Sequence, residues 1–406
     1  MNNPLLPVTD ALSQMLSRVE PSSQTESVAL DKALGRVLSG DVVAGFSVPG
    51  FDNSAMDGYA LRFTDLTEGA ALTLCGEALA GHPYSGELPQ GGCVRIMTGA
   101  VIPQGADTVV MQELALVDGN SVRFSAAPRQ GDNVRLKGED IQEGSTILKK
   151  GHRLQPADIG LLASLGQGQL KVHKRLKVAV ISTGDELRLP GEPLAEGQLY
   201  DSNRFLIKAM LERFGADVLD LGLVADDPLQ IEAAIKRAVA EADVLVTSAG
   251  MSVGSADHTR QILEKMGEIG FWKVAIKPGK PFAFGKLGDC WFFGLPGNPV
   301  AAAVTLDQLV QPVLKALTGE LAAEAHGWQA TTVDKLKKQP GRTDYQRGFF
   351  WQEDGRLMVR STGNQNSGVL SSVAYANCYI LLGKDAGSVE AGAGVVIAPF
   401  GSMLAS

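Results

Sequence analysis

Four short turns carry groups that could grip an oxyanion. They are Ser182-Thr183-Gly184-Asp185-Glu186, Ser248-Ala249-Gly250 running on to Asp257, Lys277-Pro278-Gly279-Lys280, and Leu295-Pro296-Gly297-Asn298-Pro299. Glycine lets backbone N–H groups come close to a ligand. A glycine-rich turn that opens a helix also presents unpaired N–H groups and the positive end of the helix dipole. Lys277 and Lys280 add full charges. The spacing excludes two familiar phosphate cradles: KPGKPF lacks the G-x-x-x-x-G-K-[ST] pattern, and no G-x-G-x-x-G opens the first helix of the α/β region. Asp185, Glu186 and Asp257 would repel an anion unless a divalent cation such as Mg²⁺ sits between them and it. Asp257 can equally be a helix N-cap, and so can Asp226 and Asp227 before Pro228. Glu186 has no such alternative role, which makes it the stronger functional candidate.

The elements that would position these turns follow a regular pattern. KVAVIST, ADVLDLGLV, DVLVTSAG and FWKVAIKPG read as strands. Between them lie SNRFLIKAMLERF, with Ser202 as cap and Gly215 as stop, PLQIEAAIKRAVAEA, capped by Asp227, and DHTRQILEKMG, capped by Asp257. Strands alternating with helices of this length predict a mostly parallel sheet covered on both faces, with ligands beyond the carboxyl ends of the strands. All four turns fall at that edge. FAFGKL and CWFFGL form a hairpin around Gly288-Asp289, and Asn298 and Pro299 open the next helix.

Outside 177–325 the texture differs. VTDALSQMLSRV and LDKALGRVL read as helices in 1–50, and PADIGLLASLG as a helix in 141–176; these two stretches form one elongated N-terminal domain. Residues 51–140 are glycine-rich with short β runs and read as an inserted β domain. Residues 326–406 return to short strands with an Asp354-Gly355 turn and read as a small C-terminal β domain. LKVHKR, 170–175, reads as a solvated linker face.

Composition narrows the partners. A net charge of -8 argues against nucleic acid. The four cysteines are far apart and form no Cys-x-x-Cys pair, so neither a structural zinc nor a dithiol centre is expected. No signal peptide is read at the N-terminus and no uninterrupted apolar run approaches about 18 residues, so a cytoplasmic protein with no membrane partner is expected.

VPGFDNSAMDGYA, RIMTGA, GADTVVMQE, GEDI, STGDEL, YDSN, DDP, SVGSAD, KPGKPFAFG, GLPGNP and DYQRG occur in this order between about residues 48 and 348. Together they closely resemble the molybdopterin molybdenumtransferases, the family that includes the E domain of gephyrin. The resemblance implies a multidomain α/β and β fold: a three-layer α/β molybdopterin-binding domain, an inserted β-rich domain, an elongated N-terminal domain and a barrel-like C-terminal domain. It implies insertion of molybdenum from molybdate into adenylylated molybdopterin, assisted by Mg²⁺, with release of AMP. It further implies a homodimer whose cleft is shared between subunits. An upstream adenylyltransferase and molybdoenzyme acceptors are the expected further partners.

Carried onto this chain, the family's catalytic positions fall on Asp57, Thr98, Arg135, Asp140, Glu186, Lys273 and Lys277. Those of one subunit's inserted domain would face those of the other's α/β domain. Substrate-binding positions fall on Thr183, Gly184, Ser248, Gly250, Pro296, Gly297, Pro299, Arg347 and Ser367, and metal positions on Asp185, Glu186, Asp226 and Asp257. Within this reading Arg135 and the lysines hold molybdate, and Asp57 and Asp140 carry protons as oxo groups leave. Ala249 stands where the family commonly has glycine, and Ser255 where it commonly has an acid. An adenylyltransferase-like enzyme and a non-catalytic scaffold paralogue are the alternatives. The inserted domain favours metal insertion over the first. The absence of a long linker or second enzyme domain disfavours the second.

Overall fold

The computed structural model describes residues 5–67, 69–126, 128–248, 258–322, 327–401 and 403–404. The apolar strands of the α/β region assemble into a six-stranded sheet. Its order is Asp217–Val224, Lys177–Thr183, Val244–Ser248, Cys290–Leu295, Pro281–Leu287 and Glu268–Lys273. The first four are parallel to one another, and the hairpin strand Pro281–Leu287 runs against both of its neighbours. Glu268–Lys273 therefore points the same way as the parallel four, so its carboxyl end joins theirs.

Alternate residues of each strand face opposite helical layers, which is why the strands read as unbroken apolar runs. Val178, Val180, Val246 and Phe293 pack in one core with the helix Ser202–Phe214 and the helical run 299–317. Ala179, Ile181, Leu245 and Phe292 pack in the other with Pro228–Glu241 and His258–Met266.

The run 299–317 is α-helical over Pro299–Thr305 and Gln311–Leu317, with a π turn at Leu306–Val310 between them. Pro312 explains the turn: it has no N–H to donate, and its ring would clash with a carbonyl one α turn back, so the wider turn relieves both. The 19-residue run is long and apolar enough to cross a membrane by composition, and 72% of its most apolar window is buried inside the protein.

The sequence reading needs several local corrections. Ser202 is the first helical residue, and the cap is Asp201, whose carboxylate accepts from the Arg204 backbone N–H. Asn298 holds the N-cap position but makes no capping bond through its side chain. FWKVAIKPG is two strands: Glu268–Lys273 in the main sheet, then Ile276–Lys277, which pairs with Thr343–Asp344 of the C-terminal sheet. LDKALGRVL is not a helix. Leu30–Lys32 is one 3-10 turn after the strand Thr25–Ala29, and Gly35, at φ +72, turns the chain away. LKVHKR is largely the strand Gln169–His173, paired with Thr25–Ala29, and its Leu170 and Val172 are buried in a core with Leu38 and Leu162. The Asp257 cap lies outside the described residues.

Residues 58–124 contribute a second six-stranded sheet, ordered Thr108–Met111, Gly58–Leu61, Gly92–Ile96, Leu72–Ala78, Ser121–Phe124 and Ala115–Asp118. In the C-terminal region Thr343–Glu353 pairs with both Arg356–Ser361 and Cys378–Leu382, which closes a five-stranded ring completed by Trp328–Thr332 and Gly394–Pro399. The Asp354-Gly355 hairpin turn has positive φ at both residues, 47 and 75, as a tight hairpin requires. The N-terminal helix Val8–Leu16 buries Ala11 and Met15 in the α/β core, and Leu6 bridges to Val274.

Asp307, in the π turn, is buried next to Tyr379 and Tyr345, and burial pushes its carboxyl up to about 6. The folded protein thus keeps a proton that the unfolded chain releases above about pH 4. Stability should fall as pH rises from about 4 to about 6, by on the order of 2–3 kcal/mol from this group. Other carboxylates also titrate there, so the check is a difference. In urea unfolding, Asp307→Asn should gain stability relative to the unsubstituted chain between pH 4.5 and pH 7, and an unchanged difference would refute the assignment.

Candidate functional site

The strand register sets the site. Ser182 is level with Ser248, and Ser248 with Leu295, so the STGDE turn, the end of the third strand and the LPGNP turn lie side by side. Asp201 and Asn203 lock this edge together. Asp201, with no exposed side-chain surface, accepts from Ser182 Oγ at 3.1 Å and from Arg204 Nε at 2.9 Å. Arg204 also donates to both carboxylate oxygens of Asp220 at 2.7 Å, which ties in the neighbouring strand. Asn203 Nδ2 donates to Ser248 Oγ and to the Gly297 carbonyl, each at 2.7 Å.

Beyond this edge lies a cleft of about 730 Å³. Of the residues singled out in the sequence, Glu186, Lys277, Pro296, Gly297 and Ser367 line it, and Lys280, Arg342 and Gln365 join them. Three basic side chains face one carboxylate, a positive site on a protein whose net charge is -8. Gly279 shows how tightly the wall is built: at φ +114, a Cβ there would come within 2.5 Å of Thr305 Cγ2. The Lys277–Pro278 peptide is cis. An adjoining basin of about 520 Å³ shares Lys277 and Gln365 and is lined by Arg347 and Asp344. Arg347 is 1% exposed, and burial lowers its guanidinium to about 10. It donates to Ser372 Oγ at 3.1 Å and to the Tyr345 carbonyl at 3.2 Å, while Nη2 is buried without a hydrogen-bond partner.

Other expected residues stand behind or beside the cleft. Thr183 and Ser248 are buried at strand ends, and Pro299 is the first residue of its helix, one step behind the lining turn. Gly184, at φ +149, is overlain by the Glu186 carboxylate. Lys273 is exposed at the end of the edge strand, outside the cleft lining. Asp185 is exposed, and its Oδ1 accepts from the Asp226 backbone N–H at 3.2 Å, so these two acids adjoin. Gly250 and Asp257, with Ala249 and Ser255, lie outside the described residues.

Asp57, Thr98, Arg135 and Asp140 form a separate group on the inserted β region. Asp57 precedes the strand Gly58–Leu61 and Thr98 follows its partner strand. The Thr98 N–H and Oγ donate to one Asp57 oxygen at 2.8 and 2.7 Å. These two donors hold the Asp57 carboxyl below the ordinary range. Arg135, exposed, pairs with Asn53, and the Asp140 N–H donates to the Val48 carbonyl. None of the four lines the Glu186 cleft within one chain.

The sequence reading passed over Asn203 and Arg342. Asn203 could have been noticed from its place in the quoted YDSN run. Arg342 sits in an unremarkable Gln-Pro-Gly-Arg turn and carried no such signal.

Comparison with known proteins agrees with this architecture along its whole length. The MoeA N-terminal region (domain I and II) matches residues 6–166, the probable molybdopterin binding domain 179–316, and the MoeA C-terminal region (domain IV) 329–400. A molybdopterin molybdenumtransferase of Haemophilus influenzae is 46% identical over 403 residues, covering 98% of this chain and 100% of that protein. One of Bacillus subtilis is 35% identical over 398 residues, covering 95% of this chain and 92% of that protein. A crystal structure of the molybdopterin biosynthesis moeA protein from Pyrococcus horikoshii superposes with a TM-score of 0.85 at 29% identity, covering 98% of this chain and 100% of that one. The chain belongs to the MoeA family.

Proposed function

We propose that this chain is a molybdopterin molybdenumtransferase, which inserts molybdenum from molybdate into adenylylated molybdopterin and releases AMP. The observation that carries the reading is the positive cleft at the carboxyl edge of the α/β sheet, in a chain that matches the family from end to end. Molybdate and the phosphoanhydride are both anionic, and Lys277, Lys280 and Arg342 can hold them by charge-assisted hydrogen bonds. The backbone of the LPGNP turn, held by Asn203, shapes the wall against them. The dithiolene of the pterin supplies sulfur to the metal, so no cysteine of the protein is needed. All four cysteines are free thiols and three are buried, which suits the reducing cytoplasm that we propose as its compartment.

Glu186 at the cleft edge, with Asp185 and Asp226 adjoining each other nearby in the chain, would be the carboxylates to hold a magnesium ion. Among the described residues no group of three or more such side chains forms a ready-made metal site, and Mg²⁺ needs only one or two carboxylates when phosphate and water supply the rest. When bound, Mg²⁺ would neutralise phosphate charge beside the scissile anhydride. Glu186 orients at the cleft edge and keeps negative charge next to the lysines.

We further propose a homodimer in which Asp57, Thr98, Arg135 and Asp140 of a second copy complete the cleft. Phe46, Phe51, Met56 and Leu136, in the segments that carry or flank this group, are 44–60% exposed, and a partner would cover them. Adenylylated substrate would come from an adenylylating enzyme, and the product would pass to molybdoenzymes.

Purified protein given adenylylated molybdopterin and Mg²⁺ should release AMP only when molybdate is added. Product without molybdate from ATP and molybdopterin would instead favour an adenylyltransferase. Glu186→Ala should lower molybdate-dependent release at least a hundredfold with unchanged circular dichroism. Mixing equal amounts of inactive Glu186→Ala and Asp57→Ala proteins, then allowing subunit exchange, should restore roughly a quarter of the activity, because half of the dimers are then mixed and each holds one intact cleft; no recovery despite exchange would sink the shared site. Gly279→Ala should reduce kcat/KM more than tenfold, since the added Cβ drives the lysine turn off Thr305.

A further inference from the structure

Lys338 and Asp344 form a buried ion pair under the cleft. The Lys338 side chain is 0% exposed and that of Asp344 2%. The Lys338 ammonium donates to the Gln339 carbonyl at 2.9 Å and to the Arg342 carbonyl at 2.6 Å, and lies 3.4 Å from Asp344 Oδ1. Asp344 Oδ2 lies 3.1 Å from Lys277 Nζ. Neither oxygen of Asp344 receives a well-directed hydrogen bond, so the carboxylate is held between two ammonium groups mainly by charge.

The two members of the pair each reach one cation of the cleft. Lys338 clasps the carbonyl of Arg342 and so sets where the 339–342 turn presents that side chain. Asp344 holds the ammonium of Lys277, and the backbone pairing of Lys277 with Asp344 keeps the two in register. A buried charge pair is seldom retained for stability alone, because an apolar pair of similar volume often serves as well.

We propose that the buried Lys338–Asp344 pair is a positioning device that sets Arg342 and Lys277, two of the cleft's cations, as a clamp on the anionic substrate. This rests on the function proposed above. Arg342 lines the cleft and contacts the anion directly; Lys338 and Asp344 act through Arg342 and Lys277.

The test uses the full-length protein and reads molybdate-dependent AMP release together with calorimetric binding of molybdate. Arg342→Ala, which removes a part-exposed side chain and should fold, is expected to raise KM for adenylylated molybdopterin or for molybdate at least tenfold with kcat within about threefold. Arg342→Lys should recover most of that loss. Asp344→Asn should raise the same KM by a similar factor, and the double variant Arg342→Ala/Asp344→Asn should lose less than the product of the two single effects. A purely structural role for Asp344 would lower the melting temperature and the active fraction while leaving KM unchanged, and that result overturns the proposal. So does an unaltered KM in Arg342→Ala. If Asp344→Asn does not fold, the Arg342 pair still decides whether the clamp exists, and Lys338→Met, read by the KM of its folded fraction, decides whether the buried pair sets it. Absence of molybdate-dependent AMP release from the unsubstituted protein would refute the parent reading instead.

Discussion

The start of the helix Ser202–Phe214 is the constraint on which the cleft depends. Asp201 caps that helix, ties it to the end of the strand Lys177–Thr183 and anchors Arg204, all without contact with water. Two residues on, Asn203 uses its amide donors to join the third strand to the LPGNP turn. A three-residue step therefore holds the carboxyl ends of three strands at one level. Removing the carboxylate would leave a buried guanidinium partly unpaired and a helix uncapped, effects that together exceed the contribution of any surface ion pair.

The second wall has a different origin. The KPGK turn leaves the main sheet and immediately pairs with the first residues of the long barrel strand, so the two bodies share a short ladder. The turn is pressed against the helix 299–305 by Gly279. The cleft is thus a seam between two folding units, with glycines where backbone must approach backbone and lysines where charge must face solvent. Its positive charge is local: acidic residues elsewhere leave the whole protein at -8. Anions are drawn in by the seam rather than by the surface as a whole.

The group around Asp57 is built on another principle. Its carboxylate is fixed by two donors from Thr98 across one strand pair, a rigid anion on a β scaffold. This group sits on a different platform from the Glu186 cleft, and within one chain it does not line that cleft.

Much of this was legible beforehand. Apolar runs of strand length separated by capped helices implied a parallel sheet. The proline and glycine turns then had to fall at one edge, because every crossover returns the chain to the same side. What misled the reading was local competition. LDKALGRVL has helical spacing, but Arg36 is drawn into an ion pair with the exposed Glu26 and a bond to the His173 carbonyl, and the backbone pairs elsewhere. Ser202 is a good cap by type, yet Asp201 wins because a carboxylate can serve Ser182 and Arg204 together. Periodicity, turn chemistry and long matched motifs were enough to read the α/β strands and helices, their order, the edge where the turns emerge and the family. Only the tertiary structure decided that Arg342 faces Lys277, that Lys338 lies buried beneath them, and that Asp57 is pinned by Thr98. Those contacts join residues far apart in the chain or in plain turns, and no local pattern encodes the distance between side chains that meet only when separate units pack.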